Sequence, residues 1–229
     1  MLLEIIQRPK LLAQIREIIS PHISWDSSTP PQMKADITNL CNEPLLQSIY
    51  AEVLRLHSGS VINRIPNCPD LTIGGWNLPQ DQPVIASTYN VGRDPTIWNQ
   101  GTDEHPHSVE EFWAERFLIY PDDPHSGPVL KSTTKHESEG NKEQGPRFSL
   151  DGTAGSWIPF GGGTRMCPGK HFAKADMIVT TAMFLTAFEI ELLTDEGCIA
   201  PDLKYFMFGV MHPEGKIRAR IRRRRQSTA

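Results

Sequence analysis

The segment Phe160-Gly161-Gly162-Gly163-Thr164-Arg165-Met166-Cys167-Pro168-Gly169 concentrates more chemistry than any other stretch of the chain. A run of glycines lets the backbone approach a bulky flat group closely. The run delivers one cysteine, Cys167, to the start of a helical pattern. There the helix dipole and free N–H groups favour thiolate over thiol. N–H groups aimed at the sulfur would also tune a metal bound to it. Gly169 leaves room above the first helical turn, Phe160 can shield the sulfur from water, and Arg165 is a cation poised for a carboxylate. Two other readings fit the glycines alone. They could cradle a phosphate at a helix N-terminus, although no Lys-Ser/Thr pair follows as in a P-loop. Cys167 could equally be an inert buried thiol beside a glycine turn.

The elements that must position this segment follow from pattern. Leu11, Leu12, Ile15, Ile18 and Ile19 form a helical stripe that Pro9 opens and Ser20-Pro21 closes. Residues 25–34 are polar and Pro-rich and read as a connector. A second helix runs from Pro44 to His57, with apolar residues around most of its surface, so it should be largely buried. Glu52 and Arg55 share one of its faces at i, i+3. Short strands are expected between 58 and 90, with Leu71–Gly74 and Pro83–Thr88 flanking a turn at Pro79 and Asp81. Asp94-Pro95 opens a short irregular piece ending at Trp98. Residues 121–156 have little periodicity and read as a long surface loop. The last helix starts just after Cys167 and ends near Phe188, and the segments 205–211 and 217–221 suggest a final hairpin.

Composition narrows the class. The chain has 229 residues, 38% hydrophobic and 22% charged, with a net charge of −4. That is a globular composition large enough for a sizeable core. It lacks the broadly basic balance of a nucleic-acid binder. Basic residues do gather from Lys216 to Arg225, either as a solvated terminal strand or as a patch for phosphate or a membrane surface. Four cysteines without C-x-x-C spacing argue against a disulfide framework or a zinc ribbon, and Cys41, Cys68 and Cys198 match no motif. The apolar start, Met1 to Ile6, is too short for a membrane span and has no basic segment before it, as a signal peptide would.

The full spacing F-x-x-G-x-R-x-C-x-G resembles the haem-binding signature of the cytochrome P-450 haem-thiolate monooxygenases. Two further motifs fall in that family's order. Glu52-Val53-Leu54-Arg55 matches E-x-x-R, and Ala114-Glu115-Arg116-Phe117 matches P-E-R-F with Ala114 in place of Pro. Between them, Arg93-Asp94-Pro95 and Trp98 are similar to its D-P-x-x-W stretch. The resemblance implies the C-terminal half of that fold, mainly α with small β-sheets, across residues 1–229. It implies haem b with Cys167 as thiolate ligand. Phe160, Gly163, Arg165, Gly169 and Arg64 would contact the cofactor, Arg64 and Arg165 through its propionates. Arg64 alone could instead be a solvated strand-end cation. Glu52, Arg55 and Arg116 would form a buried ion triad of structural role, as against an exposed i, i+3 pair.

The weakest implication concerns substrate. The family's pocket segments correspond here to 58–62 and 206–210, with Ser60, Val61, Phe208, Gly209 and Val210 as lining residues, or as ordinary strand packing. Lys170, His171 and Lys174 follow the cysteine where the family meets an NADPH-dependent reductase, unless they are simply a solvated face. The run from Cys167 to Lys174 is similar to fungal and sterol- or prostanoid-related members. The implied reaction is oxidation of an apolar small molecule, a lipid, sterol or specialised metabolite, with O₂; the alternative is a truncated, non-catalytic haem-binding chain. The family chain is roughly twice as long. Its N-terminal anchor, which would hold a full-length form on the cytosolic face of the endoplasmic reticulum, has no counterpart here, nor does the helix of its acid–alcohol pair. The apolar faces of the Glu52 and Cys167 helices should therefore lie exposed.

Overall fold

The computed structural model describes residues 1–69, 71–130, 145–194 and 199–224. Cys198, Arg225 and residues 131–144 of the expected surface loop lie outside that range.

A short helix α1 (Leu2–Ile6) leads into α2 (Pro9–Ile19). Arg8 takes an extended conformation at the N-cap and Pro9 occupies the first turn, where its missing N–H costs nothing. Ile15 and Ile19 point inward. Residues 25–34 are more than a connector. Strand β1 (Ile23–Trp25) pairs antiparallel with β2 (Met33–Ala35). The Asp26 carboxylate organises the polar turn between them, accepting from the backbone N–H groups of Ser28 at 3.1 Å and Gln32 at 2.8 Å. Asp36 then caps α3 (Ile37–Asn42), accepting from the Asn39 N–H at 3.0 Å.

Helix α4 (Pro44–His57) begins at Pro44, as its pattern requires. Every residue from Leu45 to Leu56 except the half-buried Gln47 is enclosed. The expectation of an exposed apolar face on this helix fails, because α3, residues 113–120 and the last helix wrap it. Strand β3 (Val61–Arg64) follows, then β4 (Leu71–Ile73), β5 (Trp76–Leu78) and β6 (Val84–Ser87). The pairing differs from the expected one. β4 pairs with β5 across Gly74-Gly75, while β6 pairs with β3. Both glycines have positive φ, +57° and +83°, which a two-residue hairpin loop of this kind demands.

After α5 (Thr88–Val91), the chain reaches β7 (Leu118–Ile119) through turns rather than regular elements. Here Trp98, Val109 and Phe117 form a second core cluster with Ala51. Strand β8 (Arg147–Phe148) pairs with β7. Helix α6 (Lys170–Ala187) runs directly into β9 (Phe188–Leu192).

The expected final hairpin does not form. β10 (Ala219–Arg223) pairs with β9 instead, and residues 209–211 lie along the end of α4, where Met211 N–H donates to the His57 carbonyl at 2.8 Å. Charge and apolar matching favour this register: Ile221 sits opposite Ile190, Arg220 bonds Glu191 at 2.6 Å and Arg224 bonds Glu189 at 2.9 Å. The basic terminal strand is solvent-exposed along its length, with part of its charge paired. The described residues thus form a mainly α molecule with five two-stranded sheets. No described helix is long and apolar enough to cross a membrane.

Candidate functional site

Glu52 lies in the middle of α4 with no solvent exposure. Its carboxylate receives four hydrogen bonds. Arg55 Nε donates to Oε2 at 2.7 Å and Arg55 Nη2 to Oε1 at 2.8 Å. Arg116 Nε donates to Oε1 at 3.1 Å, and the Trp113 backbone N–H to the same oxygen at 3.0 Å. Burial alone would raise the Glu52 pKa. The Arg55 hydrogen bonds, the charges of Arg55 and Arg116, and the Trp113 N–H outweigh it, and the carboxyl is held below its ordinary value. Arg116 is pushed down by burial, partly countered by Glu52.

The two guanidinium groups also reach the backbone of the turn-rich segment 92–111. Arg55 donates to the carbonyls of Gly92, Val109 (2.7 Å) and Glu111 (3.2 Å). Arg116 donates to Asn99, Ser108 (3.0 Å) and Glu111 (3.3 Å). The structure therefore brings Glu52, Arg55 and Arg116 together as one dry cluster, not as a solvated pair on a helix face. Ala114 does not disturb it. Its carbonyl accepts from Ser48 Oγ at 2.6 Å, and the same hydroxyl accepts from the Phe117 N–H at 3.1 Å. Trp98 is fully buried, and Arg55 Cζ lies 5.6 Å from its ring centre.

The glycine-rich loop hangs from this framework. A run of turns from Ser149 leads to Trp157, and Gly161 N–H closes a turn on the Ile158 carbonyl at 3.0 Å. Cys167 N–H donates to the Phe160 carbonyl at 2.9 Å, so the loop returns upon itself before α6 begins. Gly161 and Gly163 have φ of +78° and +67°. No heavy atom lies within 4 Å of where a Cβ would stand on Gly161, Gly162 or Gly163. The loop presents an open backbone face. Cys167 is a free, exposed thiol at the end of the loop. A Cβ on Gly169 would stand 3.7 Å from its sulfur. Phe160 is half-buried and packs edge-on against Trp157, with ring centres 6.4 Å apart. Met166 and Phe172, the latter 78% exposed, leave apolar surface beside the thiol.

Arg165 is exposed on the loop. Arg64, at the end of β3, is also exposed, and its Nη2 donates to the Gly162 carbonyl at 2.9 Å. Both cations flank the loop. Among the described residues no three His, Cys, Asp or Glu side chains converge on one point. The site thus offers a metal one soft donor beside an open apolar face and two cations. That donor set fits an iron that brings its own planar ligands and carboxylates, as haem does.

Ser60 and Val61 lie at the start of β3, half-buried. Val210 forms an antiparallel bridge with Ser58, which draws the two expected lining segments side by side. Gly209 lies at that junction, its carbonyl accepting from Gly59 N–H at 2.7 Å, and Phe208 is 83% exposed. Of the three basic residues after the cysteine, Lys174 turns inward. Its Nζ donates to Gln47 Oε1 on α4 at 2.5 Å, and burial lowers its pKa. Lys170 bonds the Met166 sulfur at 3.1 Å, and His171 is exposed. Sequence reasoning passed over Ser48, Trp113 and Trp157. A serine inside an apolar helix is a visible signal, whereas a backbone N–H donor such as that of Trp113 leaves none.

The comparisons agree with this geometry. The cytochrome P-450 family model matches residues 1–219. The chain is 42% identical over 226 residues to the cytochrome P-450 monooxygenase fsoE of Humicola fuscoatra, covering 98% of this chain and 38% of that protein. It is also 42% identical to the monooxygenase efuG of Hormonema carpetanum, covering 97% of this chain and 39% of that protein. More distantly, it is 27% identical to a beta-amyrin 24-hydroxylase of Glycine max, covering 82% of this chain and 30% of that protein. The chain thus spans about two fifths of the length of fsoE and efuG. Among solved structures, the retinoic acid-bound cyanobacterial CYP120A1 superposes with a TM-score of 0.62 at 20% identity, covering 96% of this chain and 40% of that one. On its sequence motifs, its buried cluster, its cysteine loop and these matches, the chain belongs to the cytochrome P-450 family.

Proposed function

We propose that this chain supplies the cysteine side of a haem-thiolate monooxygenase acting on an apolar organic substrate. The single observation that carries the reading is the Cys167 thiol, free and exposed beside three glycines whose backbone faces open space. Haem bound there supplies activation of O₂ and insertion of one oxygen atom, with electrons delivered from NADPH through a reductase. The residues of the chain do the rest. Cys167 would hold the haem iron as its thiolate ligand. Phe160 and Trp157 pack against each other where the loop leaves the core. Arg165 and Arg64, both exposed at the loop, would partner the propionates. A substrate that is a lipid, sterol or specialised metabolite is supported by the exposed apolar side chains Met207, Phe208 and Val210 beside Ser60 and Val61, and by the name of the beta-amyrin 24-hydroxylase relative. A full-length form on the endoplasmic reticulum membrane belongs to the same proposal.

A second reading is haem binding without turnover by this chain alone, which spans about two fifths of the length of fsoE and efuG. The test is a reduced, carbon-monoxide difference spectrum of the chain reconstituted with haem. The expected result is a strongly red-shifted Soret band that Cys167→Ala abolishes. A band unchanged in that variant, or no haem bound at all, overturns the proposal. A Cys167-dependent band with no product on adding reductase, NADPH and substrate selects the second reading.

A further inference from the structure

Trp157 stands ten residues before Cys167, at the point where the chain leaves the core to form the glycine loop. Its indole Nε1–H donates to the carbonyl of Ala51 at 3.0 Å. Ala51 is fully buried in mid-α4, next to Glu52. The ring packs edge-on against Tyr50, 6.3 Å between centres, and against Phe160. Trp157 also touches both apolar clusters, the larger one around α4 and α6 and the smaller one around Trp98 and Phe117. Downstream of the cysteine, Lys174 is fastened to Gln47 of the same helix. The cysteine loop is thus held at both ends by α4, whose orientation the Glu52 cluster locks. Between those anchors the loop has few backbone bonds of its own and one tie from an exposed side chain, Arg64 Nη2 to the Gly162 carbonyl at 2.9 Å, and no heavy atom lies within 4 Å of where a Cβ would stand on its three glycines.

We infer that Trp157 is a positioning residue whose indole N–H, anchored on the Ala51 carbonyl, sets where the cysteine loop leaves the core and so where the Cys167 sulfur stands. The inference deepens the haem-thiolate reading and rests on it for its consequence at iron. The N–H matters separately from the ring. A ring fills the gap between the two clusters in any aromatic residue, while only the N–H fixes its rotation and depth against α4. Because that bond is directional, its loss frees the loop to shift without emptying the core.

The experiment compares wild type with Trp157→Phe, which keeps an aromatic ring and deletes the donor. In the chain without haem, alkylation of Cys167 is followed by peptide mass spectrometry, with exposed Cys68 as internal reference. The expected result is a single cooperative urea transition at a modestly lower midpoint, as the loss of one hydrogen bond and a smaller ring require, with a threefold or greater rise in the Cys167 to Cys68 rate ratio. In the haem-loaded chain, the thiolate-type Soret fraction falls and a band at the shorter wavelength of a neutral thiol ligand grows. An unchanged ratio in a folded variant overturns the inference, since packing alone would then suffice. If wild type takes up no haem, the haem-thiolate reading fails while the alkylation arm still judges the strut. If Trp157→Phe unfolds, amide exchange in the wild type decides. Gly161 and Cys167 amides protected as strongly as those of α4 support the strut, and exchange at the rate of free peptide overturns it.

Discussion

Glu52→Gln keeps the shape of the buried cluster and removes its negative charge. The carboxylate accepts four hydrogen bonds between 2.7 and 3.1 Å, three from guanidinium nitrogens. In the variant the amide oxygen can accept some of these, but its NH₂ meets guanidinium donors. Two cations then remain in a site with no solvent exposure, without a counter-charge. Removing one partner of a buried ion pair costs about 3–5 kcal/mol, against a typical domain stability of about 5–15 kcal/mol. Six carbonyl contacts on Arg55 and Arg116 survive, so the groups keep their neighbours and the lower half of that range is expected. The assay is urea unfolding followed by far-ultraviolet circular dichroism, with the midpoint falling and the slope unchanged. Adding Arg116→Met should cost less than the two single losses combined, because one stranded charge is removed. A Glu52→Gln loss below about 1 kcal/mol would refute the reasoning, since that is the cost expected of a solvated pair.

Other expectations follow from the same geometry. Ser48→Ala leaves the buried Phe117 N–H without its acceptor and should cost about 1–3 kcal/mol by the same urea assay. In Gly92→Ala the new Cβ would press on the Arg55 and Thr88 carbonyl oxygens, backbone atoms that cannot swing aside, so a loss of about 1–3 kcal/mol is expected. Acid should destabilise the chain through its depressed carboxyls. Burial opposes the depression at both Glu52 and Glu4, but Arg55 and Arg116 at the first, and His57 and Arg8 at the second, hold each below 4.5. The unfolded chain therefore takes up protons first. The stability these groups contribute is present above that value and is lost as pH falls through the folded-state pKa of each. Melting temperature measured against pH should decline below about pH 4.5, where ordinary carboxyls begin to protonate, and Glu52→Gln should decline less steeply.

The helices were legible because proline and apolar period mark them independently of context. Pro9 and Pro44 fixed two starts, and the buried stripe of α4 was plain in Leu45, Leu46, Ile49 and Val53. The strands were less so. Gly74-Gly75 was a visible hairpin signal, yet Pro79 and Asp81 offered a competing turn, and neither could say that β6 would pair with β3. The union of β10 with β9 depends on residues about thirty positions apart and on which edge α6 leaves open, information that no local pattern holds. At the site, residue types and spacing pointed to Cys167 and to the Glu52 cluster. The carbonyl partners of Arg55 and Arg116 were beyond reach, since a carbonyl carries no sequence label. Lys174 was read as a reductase contact or part of a solvated face, and its bond to Gln47 on α4 could not be seen, because it depends on how two helices pack.

Arg55 and Arg116 grip the segment 92–111 chiefly by its peptide oxygens, the Trp98 ring beside Arg55 being the one aromatic contact within it. A segment held in this way is indifferent to most of its own spelling. Substitutions at its exposed positions should be tolerated wherever the backbone path persists, unlike those at Gly92, Trp98, Asn99 and Val109, while much of the instruction for that path resides in residues of α4 and in Arg116. Drift in one region and rigidity in another are thus two sides of a single arrangement, in which side chains of one part of the chain write the shape of another.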